Sequence, residues 1–181
     1  MAKFTTDRLM MRELTADDAP FVCALMNEPS FIEHIGDRGV RTVEDAQRYI
    51  DSGPWTRYAT LGFGLWLVEL RETGEPIGIC GLLQRETLPS PDIGFAFRPQ
   101  FWAKGYASES VRAVMTFAAD TLHLSEILAI VSPSNAASIR LLEKLGFTSS
   151  RETVNPLQAR GVTLYVAPTG SAPTTRARTA R

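Results

Sequence analysis

Residues 91–122 read PDIGFAFRPQFWAKGYASESVRAVMTFAADTL, and within them the chain changes from one structural period to another. Pro91–Phe97 reads as a strand. From about Ala107 to Leu122, the residues Val111, Val114, Met115, Ala118 and Leu122 recur every three or four positions, the core face of a helix. Between the two lies RPQFWAKGYAS. A glycine-bearing turn that feeds a helix exposes backbone N–H groups with no intrahelical partner. Together with the positive end of the helix dipole, these make an anion site suited to phosphate. Each charge-assisted hydrogen bond there contributes about 1.5–3 kcal/mol. Gly105 permits close backbone approach and Lys104 adds positive charge. Neither GxGxxG nor GxxxxGK[ST] is present, and a plain tight turn accounts for the same residues.

Outward from this stretch, Ile127–Ser132 is an almost wholly apolar strand, which suits a central position in a sheet. Pro133–Asn135 turns the chain into a helix that ends at Leu145, with Gly146 as its left-handed terminator. Residues 147–154 and 162–167 read as closing strands around a loop at Asn155–Gly161. Upstream, Gly64–Leu70 and Glu75–Leu83 form a hairpin about the Arg71–Gly74 turn. Residues 8–14 make a first strand. Thr15 with Asp18, and Thr42 with Asp45, are capping boxes that open two helices. The first buries Ala19, Val22, Cys23 and Met26; the second runs to about Ile50, where Ser52, Gly53 and Pro54 end it. Asn27–Arg41 reads as a polar connection. The order β-α-α-β-β-β-α-β-α-β-β implies one α/β domain, a mixed sheet covered by helices on both faces.

Composition removes several classes. The 181 residues carry 19 Lys+Arg against 20 Asp+Glu, too even for a general nucleic-acid binder. Residues 168–181 hold Arg176, Arg178 and Arg181 without an acid, so the tail is +3 and the body −4; the tail is expected to be disordered. Two cysteines and two histidines make a disulfide framework or a Cys- or His-based metal site improbable, so no metal is expected. Charged residues interrupt the N-terminal apolar runs, and no stretch approaches the length of a membrane span, which points to a cytoplasmic protein without membrane contact.

Two segments acquire meaning together. The pairing of WAKGYASE (102–109) with NAASIRLLEKLGF (135–147), preceded by TDRLMMRELTADDA (6–19), resembles the GNAT (general N-acetyltransferase) superfamily. The likeness is nearest to its Rim-type branch, the ribosomal-protein N-terminal acetyltransferase-like proteins, and spans roughly residues 5–167. It implies an acyl-CoA N-acyltransferase fold over 1–167: an α/β, mostly antiparallel sheet of about seven strands with one splayed parallel pair, flanked by about four helices. It implies acetyl-CoA as cosubstrate. The family's pyrophosphate loop, Q/R-x-x-G-x-G/A, falls on Trp102, Ala103, Lys104, Gly105, Tyr106 and Ala107. Trp102 departs from the general pattern and Ala103 stands where glycine is usual, a substitution that matters if the position needs positive φ. Pantetheine is expected beside the Phe95–Phe97 backbone, and Asn135 and Ser138 match the family's N-x-x-S.

The resemblance implies direct transfer, with an amine attacking the thioester. Ser138 is the candidate proton donor to the departing thiolate, because Ile139–Leu142 lacks the tyrosine found in many relatives. Asp92 is the candidate base, with a solvent-facing strand-end acid as the plainer reading; Glu109 ranks below it, since the helix dipole alone favours an acid there. The acceptor pocket is expected to draw on Asn27–Arg41 and on Trp55, Tyr58 and Phe63, residues that equally suit a core. His34 and Asp37 are either amine contacts or solvated loop residues. The acceptor is a protein N-terminal α-amine or a small amine such as a polyamine, amino acid or aminoglycoside. A non-catalytic acyl-CoA-binding module and a ligand-free interaction protein are the alternatives. The protein is expected to be a monomer or homodimer.

Overall fold

The computed structural model describes residues 2–150 and 161–169. Eight strands form one sheet: β1 (Ala2–Thr5), β2 (Leu9–Arg12), β3 (Leu65–Leu70), β4 (Pro76–Leu83), β5 (Asp92–Phe97), β6 (Glu126–Val131), β7 (Thr148–Ser149) and β8 (Thr163–Pro168). Their order is β1-β2-β3-β4-β5-β6-β8-β7. Every neighbouring pair is antiparallel except β5 and β6, which run parallel and share a single register point, Asp92 opposite Leu128. The Leu128 amide donates to the Pro91 carbonyl at 3.0 Å, and there the ladder stops. The C-terminal halves of β5 and β6 are unpaired with one another, which is the splay expected of this fold.

The period of two places the β3 side chains. Leu65 and Leu67 join a cluster with Ala19, Val22, Leu25, Ala46 and Ile50, from α1 (Ala19–Met26) and α3 (Val43–Ile50). Trp66 and Val68 join the other face, with Val111, Val114, Phe117 and Ala118 of α5 (Tyr106–Asp120) and Leu142 of α6 (Ala136–Lys144). Helices therefore cover both faces. Arg12 of β2 fixes how α1 leaves the sheet: its guanidinium donates to both Asp18 oxygens (2.7 and 2.8 Å) and to Glu69 of β3 (2.8 Å). The Asp18 carboxylate also accepts the Thr15 amide at 2.8 Å. Burial works against that carboxylate, yet the bonds from Arg12 and Thr15 outweigh it and hold its pKa below the ordinary aspartate value.

Three local expectations change. Residues 2–5 add an edge strand paired with Met10, Met11 and Arg12. The polar connection contains a short helix, α2 (Pro29–His34), which opens on Pro29 and buries only Phe31, so it carries no apolar stripe. Ser52-Gly53-Pro54 does not end the second long helix: the chain widens into a π-helical segment, Asp51–Trp55, and continues as α4 (Thr56–Leu61) to the left-handed Gly62 (φ 74°). A wide turn accommodates a proline that has no N–H to give, while the Ser52 and Thr56 hydroxyls cover the Arg48 and Asp51 carbonyls at 2.7 and 3.0 Å. Residues 151–160 of the closing strands and loop, and the arginine-bearing tail from 170 onward, lie outside the described residues.

Candidate functional site

The unpaired half of β5 opens into the 91–122 stretch. After Phe97 a single 3-10 turn, Pro99–Phe101, leads to Trp102, whose indole N–H donates to the Phe97 carbonyl at 2.7 Å and folds the loop back on its own strand. Ala103 then takes φ 58° and Gly105 φ 84°. The position usually filled by glycine does require the left-handed region, and alanine occupies it at a cost of about 1–2 kcal/mol. The first bond of α5 runs from the Glu109 amide to the Gly105 carbonyl at 3.0 Å. The amides of Tyr106, Ala107 and Ser108 thus precede the ladder, at the positive end of a 15-residue helix.

These residues line a cavity of about 550 Å³. Its lining includes Phe95, Phe97, Trp102, Ala103, Gly105, Tyr106 and Ala107 on the side of β5, the loop and α5, and Asn135 and Ser138 from α6. Asn135 caps α6, its Oδ1 accepting the Ser138 amide at 3.0 Å, and this bond fixes the first turn that presents Ser138. Capping and cavity lining are two consequences of one placement. Lys104 is the member of the expected set that the lining omits; its ammonium sits 5.4 Å from the Phe101 ring centroid and its carbonyl faces Arg8.

Asp92 lies at the other end of β5. It is 1% exposed, donates nothing to the lining, and accepts a hydrogen bond from Arg85 Nε at 2.8 Å. It is not a solvent-facing acid: burial pushes its pKa up, and the Arg85 bond offsets part of that rise. The structure does not bring Asp92 and Ser138 to one cavity. Glu109 is committed elsewhere too. Burial works against its charged form, while bonds from Thr6 and Arg8 lower its pKa on balance. Tyr58 and Phe63 pack into the core and Trp55 is 61% exposed, so the three aromatics wall no part of the cavity. Asp37 pairs with Arg41 on the surface. Cys80 is fully buried, and burial pushes its thiol up to about 12.

The wall supplied by α1 and α2 is where the Asn27–Arg41 expectation lands, through Glu28, Ser30, Phe31, His34 and Ile35. His34 Nδ1 is buried with no hydrogen-bond partner. Glu28 is the one carboxylate in the lining and forms no ion pair among the described residues. Arg140 and Lys144, one turn apart on α6, are cations in the same lining. Sequence reading did not single out these three. The i, i+4 spacing of Arg140 and Lys144 was available as a signal; the direction of Glu28 depends on α2, which carries no periodic signal.

Among the described residues no helix is long and apolar enough to cross a membrane, and no group of three or more His, Cys, Asp or Glu side chains is gathered as for a metal. The acetyltransferase (GNAT) domain family matches residues 8–148. The uncharacterized N-acetyltransferase YoaA of Bacillus subtilis (strain 168) is 33% identical over 145 residues, covering 78% of this chain and 80% of that protein. The crystal structure of an acetyltransferase from Agrobacterium tumefaciens str. C58 superposes with a TM-score of 0.78 at 25% identity, over 91% of this chain and 92% of that one. RimL, a ribosomal L7/L12 alpha-N-protein acetyltransferase solved with coenzyme A, shares the fold at a TM-score of 0.77 and 18% identity, over 93% and 98% of the two chains.

Proposed function

The chain belongs to the GNAT acetyltransferase family and is an acetyl-CoA-dependent acetyltransferase; on that premise we propose that it acetylates a primary amine, with a protein N-terminal α-amine as the favoured acceptor, by direct transfer inside this cavity. The observation that carries the reading is the division of charge in the lining. Free helix amides with Arg140 and Lys144 stand on one side, and the lone carboxylate Glu28 stands on the α1–α2 wall. Such a lining suits phosphates at one region and a cationic amine at another.

The residues present fit the cosubstrate. The amides of residues 106–108 and the α5 dipole receive the pyrophosphate, with Ala103 and Gly105 giving the loop its turn. Arg140 and Lys144 add charge for the remaining phosphates. The edge of β5 at Phe95–Phe97, free of a β6 partner, offers backbone groups to pantetheine and an N–H toward the thioester oxygen. Acetyl-CoA supplies the activated acyl group. Nitrogen–carbon bond formation and carbon–sulfur bond cleavage require that one proton leave the amine and one reach the sulfur. Glu28 takes the proton from the amine, and Ser138 relays a proton to the thiolate while its hydroxyl regains one from solvent. With one carboxylate available, an amine already partly neutral suits the site: an α-amine is roughly a tenth neutral at pH 7, a lysine below a thousandth. Asp92, off the lining and paired with Arg85, serves β5 rather than the amine.

Thiol release from acetyl-CoA, measured against N-terminal peptides, polyamines, amino acids and aminoglycosides, tests the reading. We expect turnover with peptide α-amines, a fall of about a hundredfold in kcat/KM for the amine in Glu28→Gln, and a small effect in Asp92→Asn. No release with any amine sinks the acceptor reading. A large loss in Asp92→Asn with none in Glu28→Gln returns the base to Asp92.

A further inference from the structure

The strained loop is held from outside the cavity by a residue 101 positions before the end of its own clamp. Arg8, in the connection between β1 and β2, donates from Nε to Glu109 Oε2 at 2.7 Å, with Nη2 at 2.6 Å from the same oxygen. Its backbone amide reaches Glu109 Oε1 at 3.0 Å, beside the Thr6 hydroxyl at 2.6 Å. The remaining nitrogen, Nη1, donates to the Lys104 carbonyl at 3.0 Å. The guanidinium carbon lies 4.6 Å from the centroid of the Tyr106 ring. One side chain thereby touches residues 104, 106 and 109, the turn and the first helical turn of α5. Nothing about this clamp is local in sequence, and the cavity lining omits Arg8, Thr6 and Glu109.

We propose that Arg8 and Glu109 are positioning residues for the phosphates of acetyl-CoA, an inference that rests on the cosubstrate reading above. The pair does two things. Nη1 on the Lys104 carbonyl holds the peptide between two left-handed residues, Ala103 and Gly105, so their amides keep one direction before a ligand arrives. Three hydrogen bonds and the ion pair with Arg8 also satisfy and neutralise a carboxylate in the very turn that must receive an anion. Left bare, that carboxylate repels what the helix dipole attracts. Glu109 is tolerable beside a phosphate site because Arg8 covers it.

The second role separates the proposal from plain structural support. Binding of CoA is measured by calorimetry, with melting temperature and steady-state constants alongside, for Arg8→Ala, Arg8→Lys, Glu109→Gln and the Arg8→Ala/Glu109→Gln double variant. We expect Arg8→Ala to weaken CoA about tenfold and to raise KM for acetyl-CoA similarly. The kcat at saturation and the KM for the amine should stay within about threefold. Adding Glu109→Gln to Arg8→Ala should recover at least about threefold of the lost affinity, because the uncovered charge is gone. Arg8→Lys keeps the charge without the fork, and should fall between wild type and Arg8→Ala. A lowered melting temperature with unchanged CoA affinity in Arg8→Ala overturns the proposal. If Arg8→Ala does not fold, wild-type CoA affinity in Arg8→Lys together with Glu109→Gln does the same. Failure of the wild-type protein to bind CoA refutes the cosubstrate reading itself, and the proposal with it.

Discussion

Replacing Arg12 by methionine tests the electrostatics that anchor the α1–α2 wall. The guanidinium satisfies two carboxylates from different elements, Asp18 at 8% and Glu69 at 6% exposure. Methionine retains most of the apolar stem, so the loss is of charge and hydrogen bonds. Removing one partner of a buried ion pair costs about 3–5 kcal/mol, and since Arg12 itself is partly exposed the lower end applies, about 3 kcal/mol. For a chain of this length that corresponds to a fall of about 6–12 °C in Tm. The pH dependence has a definite sign. In the wild type the folded pKa of Asp18 lies below its ordinary 3.8, so its stabilisation is present above that value and is lost as pH falls through the folded pKa. In Arg12→Met the same buried carboxylate lacks its partner, desolvation prevails, and protonation relieves the penalty. The stability gap between the two proteins should therefore narrow as pH falls from neutrality through 3.8, the ordinary aspartate value. Urea denaturation at several pH values measures it. A gap under about 1 kcal/mol at neutral pH, or one that does not narrow in acid, refutes the reasoning.

Ala103→Gly should bind CoA at least as well as wild type and be more stable by up to about 1 kcal/mol, relief of the left-handed alanine being partly offset by unfolded-state entropy. Ala103→Val should lose about 1–2 kcal/mol in urea denaturation, since a β-branched residue is worse at φ 58°. Gly78→Ala would set a Cβ 2.5 Å from the Ala96 carbonyl oxygen and 2.6 Å from the Phe97 ring. It should cost more than about 2 kcal/mol and weaken CoA binding by shifting the cavity-lining end of β5. Cys80, with its thiol near 12, should stay unlabelled by iodoacetamide in the native protein at mildly alkaline pH, as read by peptide mass spectrometry; rapid labelling would contradict its burial.

What could be read in the sequence was what repeats or caps locally. The α5 stripe buries Val111, Val114 and Ala118, and the Thr42–Asp45 box forms with bonds of 2.9 and 3.1 Å. Phe117 joins that core too, off the expected stripe, its ring 5.0 Å from that of Phe4 on β1 and 5.6 Å from that of Trp66 on β3. Four residues of β1 gave no periodic signal, and α2 has one buried side chain, so both were invisible to pattern. The phosphate loop was legible since strand, turn and helix lie in one stretch. The clamp on it was not. Arg8–Glu109 and Arg12–Glu69 join residues that only the strand order brings together, and no spacing rule anticipates such pairs. The surroundings of Asp92 were hidden for a related reason: nothing near it in sequence announces that β6 and Arg85 enclose this strand-end carboxylate.

The single register point between β5 and β6 also bears on how the protein comes apart. Two ribbons, β1 to β5 and β6-β8-β7, meet along a seam sewn at one stitch, Asp92 to Leu128. Amide hydrogen exchange in the two ribbons need not proceed as one cooperative unit, because the seam contributes little to the ladder. A ligand lying in the seam acts as a removable strand. With CoA in the seam as proposed, protection along the facing edges of β5 and β6, and the sharpness of thermal unfolding, should rise with its concentration.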